Sequence, residues 1–422
     1  MNKLRHTTAL CFFAVCAIAL GLLVFLPGCR PNVLPDPVAP IPAATAVQQI
    51  TDAPTAPTAS ETPAVSPAVT ADADTPVPTE EITAAPEVTP TPAPTAAPTP
   101  SPAPTPSPAP TPTPKPVTSP RIAYYSNHGI IRVDNAAYEL GGYSHSAASS
   151  YAALVSKVAD DLAGQTRVYS LLIPTSYGIT FPDDVKPQLP EYPDMRANME
   201  DLFSMMNSNV VRVKCFDNLY QHRNEYIYFR TDHHWNGTGA YYAYETFCNS
   251  KGIHPYTMSQ RREVRFENFL GSFYTASGED PALLPADTVI AFYPVSSSAS
   301  MIMYDENGNG TNWPIIQNVN SYRPSGKYNC FAGSDHPLTV FTNPAVTDGS
   351  VLIIIKESFG NALLPLLVDH YQTIYEIDYR YWSGNLQQYA REVGATDLVF
   401  ANNIVSASAR TFVGKLARII GQ

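Results

Sequence analysis

The hexapeptide "TDHHWN" (231–236) sets a carboxylate, two imidazoles and an indole side by side in a chain with only nine histidines. Three kinds of chemistry fit such a group: a metal site, a catalytic acid/base pair, or a structural knot in a loop. Asp232 and His234 are two residues apart. In an extended segment such side chains share a face, so Asp232 could hold the His234 imidazole in one tautomer. A base oriented in this way needs a nucleophile elsewhere. The metal reading needs at least one further ligand, and His222, His254, His336 and His370 are scattered, none at helical i, i+4 spacing to the pair. Trp235 could shield the site from water, and Asn236 or Thr238 could cap a following helix.

The stretch "SVLIIIKESFGNALLPLL" (350–367) offers the nucleophile. Its apolar, β-branched run predicts a strand buried on both faces, and a helix is expected to begin at once after "KESFGN". Ser358 then stands at the carboxyl end of a central strand and the amino end of a helix, the edge where open α/β sheets bind ligands. A helix start carries unpaired N–H groups and a partial positive charge, which would stabilise an oxyanion formed on an attacked carbonyl. The turn resembles the nucleophile elbow of hydrolases, with a different pattern of flanking glycines. The plainer alternative is a serine that only caps the helix.

The elements that must hold these two segments alternate. "SYAALVSKVADDLA" (150–163) has apolar residues at helical spacing, and "RVYSLLI" (167–173) reads as a strand stopped by Pro174. "MRANMEDLFSMM" (195–206) predicts a second helix and "NVVRVKCF" (209–216) a second strand. "GAYYAYETFCNSKGI" (239–253) predicts a helix ended by Gly252. Residues 260–348 are irregular and rich in Ser, Asn, Gly and Tyr, which suggests a lobe of loops and antiparallel strands. A strand follows the Ser358 helix, "TDLVFANNIVS" (396–406) adds the last strand, and "ARTFVGKLARII" (409–420) a final helix. The expected fold class is α/β with a parallel central sheet.

The rest of the chain bounds where this domain works. Of 41 prolines, 26 lie between Pro31 and Pro120, in a Pro/Thr/Ala-rich tract with almost no large apolar residue. Such a segment cannot bury enough surface to offset its ordering entropy, so 30–120 is read as a disordered, stalk-like linker biased to polyproline II. Residues 1–29 read as a signal peptide, lipoprotein leader or signal anchor: Lys3 and Arg5 precede an apolar run from Ala9 to Pro27, and "LPGC" (26–29) resembles a lipobox. The expectation is an extracytoplasmic domain tethered to a bacterial cell membrane by its N-terminus. That leaves 121–422 as the folded, catalytic part. Its three cysteines, Cys215, Cys248 and Cys330, have no CxxC spacing, and sequence chooses no disulfide among them. The formal net charge of −11 without a basic run disfavours nucleic acid as a partner.

"TDHHWN", "GSFYTASG" (271–278), "IIIKESFGNALLPLL" (353–367) and "YEIDYRYW" (375–382) together resemble the DHHW family of exported bacterial proteins. That family is similar to the alginate O-acetyltransferases and their SGNH-hydrolase-like fold. The resemblance covers essentially all of 121–422. It implies Ser358 as nucleophile, His234 as general base and Asp232 as its orienting partner. His233 is implied near the site without an assigned role. Lys356, Asn361 and Arg380 are weaker candidates for binding anionic or carbonyl groups, and Asn403 for the asparagine of an oxyanion hole. The implied activity is acyl transfer, acetyl in particular, to or from a cell-surface polysaccharide. A membrane-bound O-acyltransferase would act as acetyl donor, and neither metal nor cofactor is called for. Two other functions fit the same residues: a secreted carbohydrate esterase that gives the acyl group to water, and a catalytically idle glycan-binding or scaffold module.

Overall fold

A computed structural model describes residues 121–189 and 193–421. The leader assigned to 1–29 and the linker assigned to 30–120 lie outside the described residues. Among the described residues, no helix is long and apolar enough to cross a membrane. The chain opens with a small antiparallel sheet of β1 (Ile122–Tyr125), β2 (Ile130–Val133) and β3 (Ala136–Glu139). The helix His145–Asp161 then leads into β4 (Arg167–Ile173), and the helix Met195–Ser204 into β5 (Val210–Val213). The helix Gly237–Lys251 precedes an antiparallel pair, β6 (Glu263–Phe269) and β7 (Asp287–Phe292). The remaining strands are β8 (Ser300–Tyr304), β9 (Gly310–Trp313), β10 (Leu338–Thr342), β11 (Val351–Lys356), β12 (Thr373–Asp378) and β13 (Asp397–Asn403).

Eight of these strands form one sheet in the order β5-β4-β13-β11-β12-β10-β8-β9. Neighbours from β5 to β12 run parallel, whereas β10, β8 and β9 are joined antiparallel. The expected parallel sheet therefore accounts for five strands of a larger mixed one. Connection length explains the outermost pair, because parallel neighbours need a crossover of a dozen or more residues. Asp305–Asn309 alone link β8 to β9, which permits only a hairpin.

The centre of the sheet fixes the edge that matters. Leu352, Ile353, Ile354 and Ile355 of β11 are fully buried, as its unbroken apolar run requires. Lys356 pairs with Asp378 of β12 on one side and Ala401 of β13 on the other. These strands end together, and Ser358 follows two residues later. The chain then turns through 3₁₀ residues Ser358–Ala362, a short α-helix Leu364–Leu367 and a second 3₁₀ turn Val368–His370. The single helix expected here is broken into pieces. Pro365, which has no N–H to donate, is tolerated only in a helix's first turn and so starts a new segment.

Two contacts fasten this broken helix to the segment that leaves the histidine loop, one from the helix Gly237–Lys251 and one from Arg261 beyond it. The Tyr244 hydroxyl lies 2.7 Å from His370 Nε2. Arg261 Nη1 meets Asp369 at 2.7 Å with both side chains buried. The Asn236 side chain caps Gly237–Lys251 by accepting from Thr238 N (2.8 Å) and Gly239 N (3.2 Å), and Gly252 ends it in the left-handed region at φ 82°. Cys215, Cys248 and Cys330 are buried free thiols.

Burial, with Arg261 and Lys251 nearby, pushes His370 down to about 4 from an ordinary 6.5. The unfolded chain therefore binds this proton more readily than the folded one. Stability contributed by neutral His370 is complete above pH 6.5 and is lost as pH falls towards about 4. Urea melts across that window should show a downward slope that His370→Gln flattens; an unchanged slope would remove His370 as the cause.

Candidate active site

The histidine loop is a tight hairpin. Phe229 N donates to His234 O (3.2 Å) and Asn236 N to Ile227 O (3.0 Å), so residues 230–233 form its turn. Such a turn leaves backbone N–H groups without ladder partners, and Asp287 at the start of β7 takes them up. Its buried carboxylate accepts from Arg230 N (3.0 Å), Thr231 N (2.8 Å), the Thr231 hydroxyl (2.6 Å) and the Tyr226 hydroxyl (2.9 Å). A buried carboxylate is stable where donors surround it in this way.

Held by that turn, and not by the extended segment expected, Asp232 reaches His234. Asp232 Oδ1 lies 2.6 Å from His234 Nδ1 and also accepts from His234 N at 3.0 Å. The other oxygen, Oδ2, accepts from Ser272 N at 2.8 Å. Across the ring, His234 Nε2 lies 2.7 Å from Ser358 Oγ. Asp232, His234 and Ser358 thus form one continuous hydrogen-bonded chain. Burial alone would raise the Asp232 carboxyl. The two histidines and the N–H donors of His234 and Ser272 outweigh it and hold the group well below the usual carboxylate range.

The remaining sequence candidates fall into two groups. His233 and Trp235 sit at the site. His233 Nδ1 lies 2.7 Å from Ser272 Oγ, and its ring packs on the His234 ring with centroids 3.8 Å apart. Burial and the neighbouring His234 push the His233 imidazole below its ordinary value. Trp235 is fully buried, and its indole N–H donates to Phe359 O at 3.0 Å. It shields the site and also joins the histidine loop to the serine turn.

Lys356, Asn361 and Arg380 are instead tied to carboxylates rather than open to a substrate. Lys356 Nζ lies 2.9 Å from Glu376, 3.1 Å from Asp335 and 3.5 Å from Asp378. Asn361 Nδ2 donates to Asp335 at 3.0 Å, and Arg380 Nη2 reaches Asp335 at 2.8 Å and Asp378 at 2.5 Å. The reason is general: a buried cation needs a paired anion. Asn403 is likewise engaged, its Nδ2 donating to Glu357 (2.9 Å) and Ser406 (3.0 Å). That leaves no amide proton for an oxyanion. Asn403 and Glu357 form a clamp instead, with Glu357 also accepting from Asn403 N (2.6 Å) and Phe359 N (3.1 Å). Among the described residues, Ser358's own backbone N–H has no acceptor at this turn.

The cluster Asp232, His233 and His234 does bring three ligand atoms within 4.8 Å of one another. Both nitrogens of His234 already face partners, Asp232 and Ser358. A metal there would have to break that chain, so the donor set fits proton transfer better than metal binding.

Several residues at the site were given no role from sequence. Gly271 and Ser272 open "GSFYTASG". A Cβ at position 271 would overlap the Asp232 side chain, so only glycine lets Ser272 N approach the carboxylate. Tyr328 lies parallel to the His234 ring, with centroids 4.0 Å apart at 11°, and its hydroxyl donates to Ser358 O at 3.0 Å.

A hydroxyl, an imidazole and a desolvated carboxylate thus stand in series at the carboxyl edge of a mixed α/β sheet. The DHHW protein family's sequence profile matches residues 124–377, and the chain belongs to that family. It is similar to a crystal structure of a DHHW family protein from Eubacterium siraeum. Identity is 25%, the TM-score is 0.64, and 70% of this chain and 97% of that one are covered. Bacillus cereus PatB1 shares the fold at 18% identity and TM-score 0.56, over 67% of this chain and 98% of that one. PatB1 has also been solved with a sulfonyl adduct, at 16% identity and TM-score 0.56, over 67% of this chain and 97% of that one. No curated protein matches.

Gly271→Ala tests the seat of Asp232. The variant should keep its fold and lose about 100-fold in the rate at which Ser358 reacts with an acylating reagent, since a displacement near 1 Å in such a site costs that much. A wild-type rate would mean that the approach of Ser272 to Asp232 is immaterial.

Proposed function

We propose that this protein transfers an acyl group, acetyl in the simplest case, to or from a cell-surface glycan through an acyl-Ser358 intermediate. The 2.7 Å approach of His234 Nε2 to Ser358 Oγ carries the reading, since a general base must lie within hydrogen-bond reach of the proton it removes. His234 takes the Ser358 proton as Oγ attacks the acyl carbonyl. Asp232 fixes the Nδ1–H tautomer and stabilises the imidazolium that forms. The Ser358 N–H is the donor available to the oxyanion. His234 then returns its proton to the leaving oxygen. In the second half it removes a proton from the acceptor hydroxyl, which attacks the acyl-serine, and gives that proton to Ser358 Oγ as the ester bond to serine breaks. The N-terminal leader and proline-rich linker support an extracytoplasmic, membrane-tethered setting, where a membrane-bound O-acyltransferase could supply the acetyl group.

Ser358 is only half-buried, so water can compete as acceptor, and the esterase reading differs only in that final step. The connected Asp232–His234–Ser358 chain weighs against an idle scaffold. One experiment separates all three. The protein is treated with a fluorophosphonate or sulfonyl fluoride, the adduct is located by peptide mass, and p-nitrophenyl acetate turnover is followed with and without a polysaccharide acceptor. A transferase should carry the label on Ser358, move acetyl onto the polysaccharide, and lose at least about 1,000-fold in turnover on Ser358→Ala. Free acetate alone, unaffected by polysaccharide, would identify an esterase. No label and no loss on Ser358→Ala would sink both.

A further inference from the structure

We propose that Tyr328 is the positioning residue of this site, holding the base with its ring and the nucleophile with its hydroxyl; this rests on the acyl-Ser358 reading. Tyr328 belongs to the 3₁₀ segment Pro324–Cys330, inside the irregular lobe. It touches both halves of the site at once. The ring lies on the His234 imidazole at 4.0 Å and 11°, and the hydroxyl donates to Ser358 O at 3.0 Å.

Each contact restrains a motion that Asp232 alone leaves open. Asp232 fixes His234 at Nδ1 only, so the imidazole could still swing about that bond and lower Nε2 away from Ser358. A parallel ring at van der Waals distance blocks the swing on one face. The His233 and Phe359 rings, with centroids 3.8 and 4.9 Å from that of His234, pack it further. At the nucleophile, a donor on Ser358 O holds the peptide that follows Ser358 and so restrains the turn that carries it. Tyr328 is itself held. Phe331 and Phe229 meet it edge-on at 5.2 and 6.1 Å, and Phe229 belongs to the hairpin that carries His234.

The chemistry of a tyrosine suits both tasks. Burial, with Asp232, Asp335 and Glu357 nearby, pushes the phenol well above its ordinary value, so it stays a donor. When His234 gains the Ser358 proton, the aromatic face against it favours the cation. A satisfied core tyrosine would need neither contact, because any buried carbonyl would serve its hydroxyl.

Two variants separate ring from hydroxyl, read by p-nitrophenyl acetate kinetics and by the low-field Nδ1–H proton resonance of the Asp232–His234 bond. Tyr328→Phe keeps the ring; kcat should fall about 10-fold, the scale of one hydrogen bond, with the resonance retained. Tyr328→Leu loses both contacts; kcat should fall about 100-fold, KM should stay within about threefold, and the resonance should broaden away as the imidazole loosens. A merely structural residue would alter the melting temperature and spare the resonance. Wild-type kcat in Tyr328→Phe overturns the proposal, as does an intact resonance in folded Tyr328→Leu. Should Tyr328→Leu not fold, the phenylalanine variant decides alone. Wild-type protein that takes no label at Ser358 would sink the acyl-serine reading instead. The resonance still tests Tyr328 in that case, because it requires no turnover.

Discussion

Everything in this structure turns on a hydrogen bond between side chains 124 residues apart, His234 Nε2 and Ser358 Oγ. Such a bond tolerates only a few tenths of an ångström, yet its partners stand on separate segments. The fold answers by joining those segments repeatedly. Trp235, next to the base, donates to the carbonyl of Phe359, next to the nucleophile. One helix away on each side, Tyr244 meets His370 and Arg261 meets Asp369. Contacts directly beside the chemistry set the distance, and those a helix further out keep the two segments from sliding. Buried and packed at interior density, such joints admit few alternative arrangements.

Three buried carboxylates near the site do different work because their donors differ. Asp232 faces imidazoles and backbone N–H groups and stays charged. Asp287 takes backbone and hydroxyl donors and shapes the histidine turn. Glu357, fully buried, is pushed up by burial against the Asn403 and Phe359 donors and ties the end of β11 to the end of β13. Close by, Lys356 and Arg380 are neutralised by Asp335, Glu376 and Asp378. Charges removed from water have to be matched locally. The positive residues nearest the nucleophile therefore hold the strand ends together and leave substrate recognition to others.

What the sequence disclosed follows the same division. The apolar run Leu352–Ile355 announced a central strand, and with it the edge position of Ser358. The spacing of Asp232 and His234 announced that the two could meet, although a turn rather than an extended segment brings them together. The fragmented helix after Ser358 could be anticipated from Pro365, which marks a boundary wherever it falls in a helical pattern. Antiparallel strands were expected within 260–348, but that β8, β9 and β10 extend the central sheet, and the contacts of Asn403 and Lys356, were not legible. They depend on which strand ends meet in space, and no period or spacing records that.

The lobe spanning 260–342 looked least informative in sequence, yet it supplies most of what orients the site. Gly271 and Ser272 seat Asp232, Asp287 anchors the turn, and Tyr328 reaches both His234 and Ser358. The parallel strands deliver a nucleophile to the sheet edge, as an α/β sheet does for many chemistries. They offer no donor to Asp232 and no surface to the imidazole. With Asp232 accepting from His234 alone, the carboxylate would lose the Ser272 N–H and much of the stabilisation that keeps it charged. The lobe is therefore part of the site, and its irregular, loop-rich composition is what allows single residues to be aimed at separate atoms.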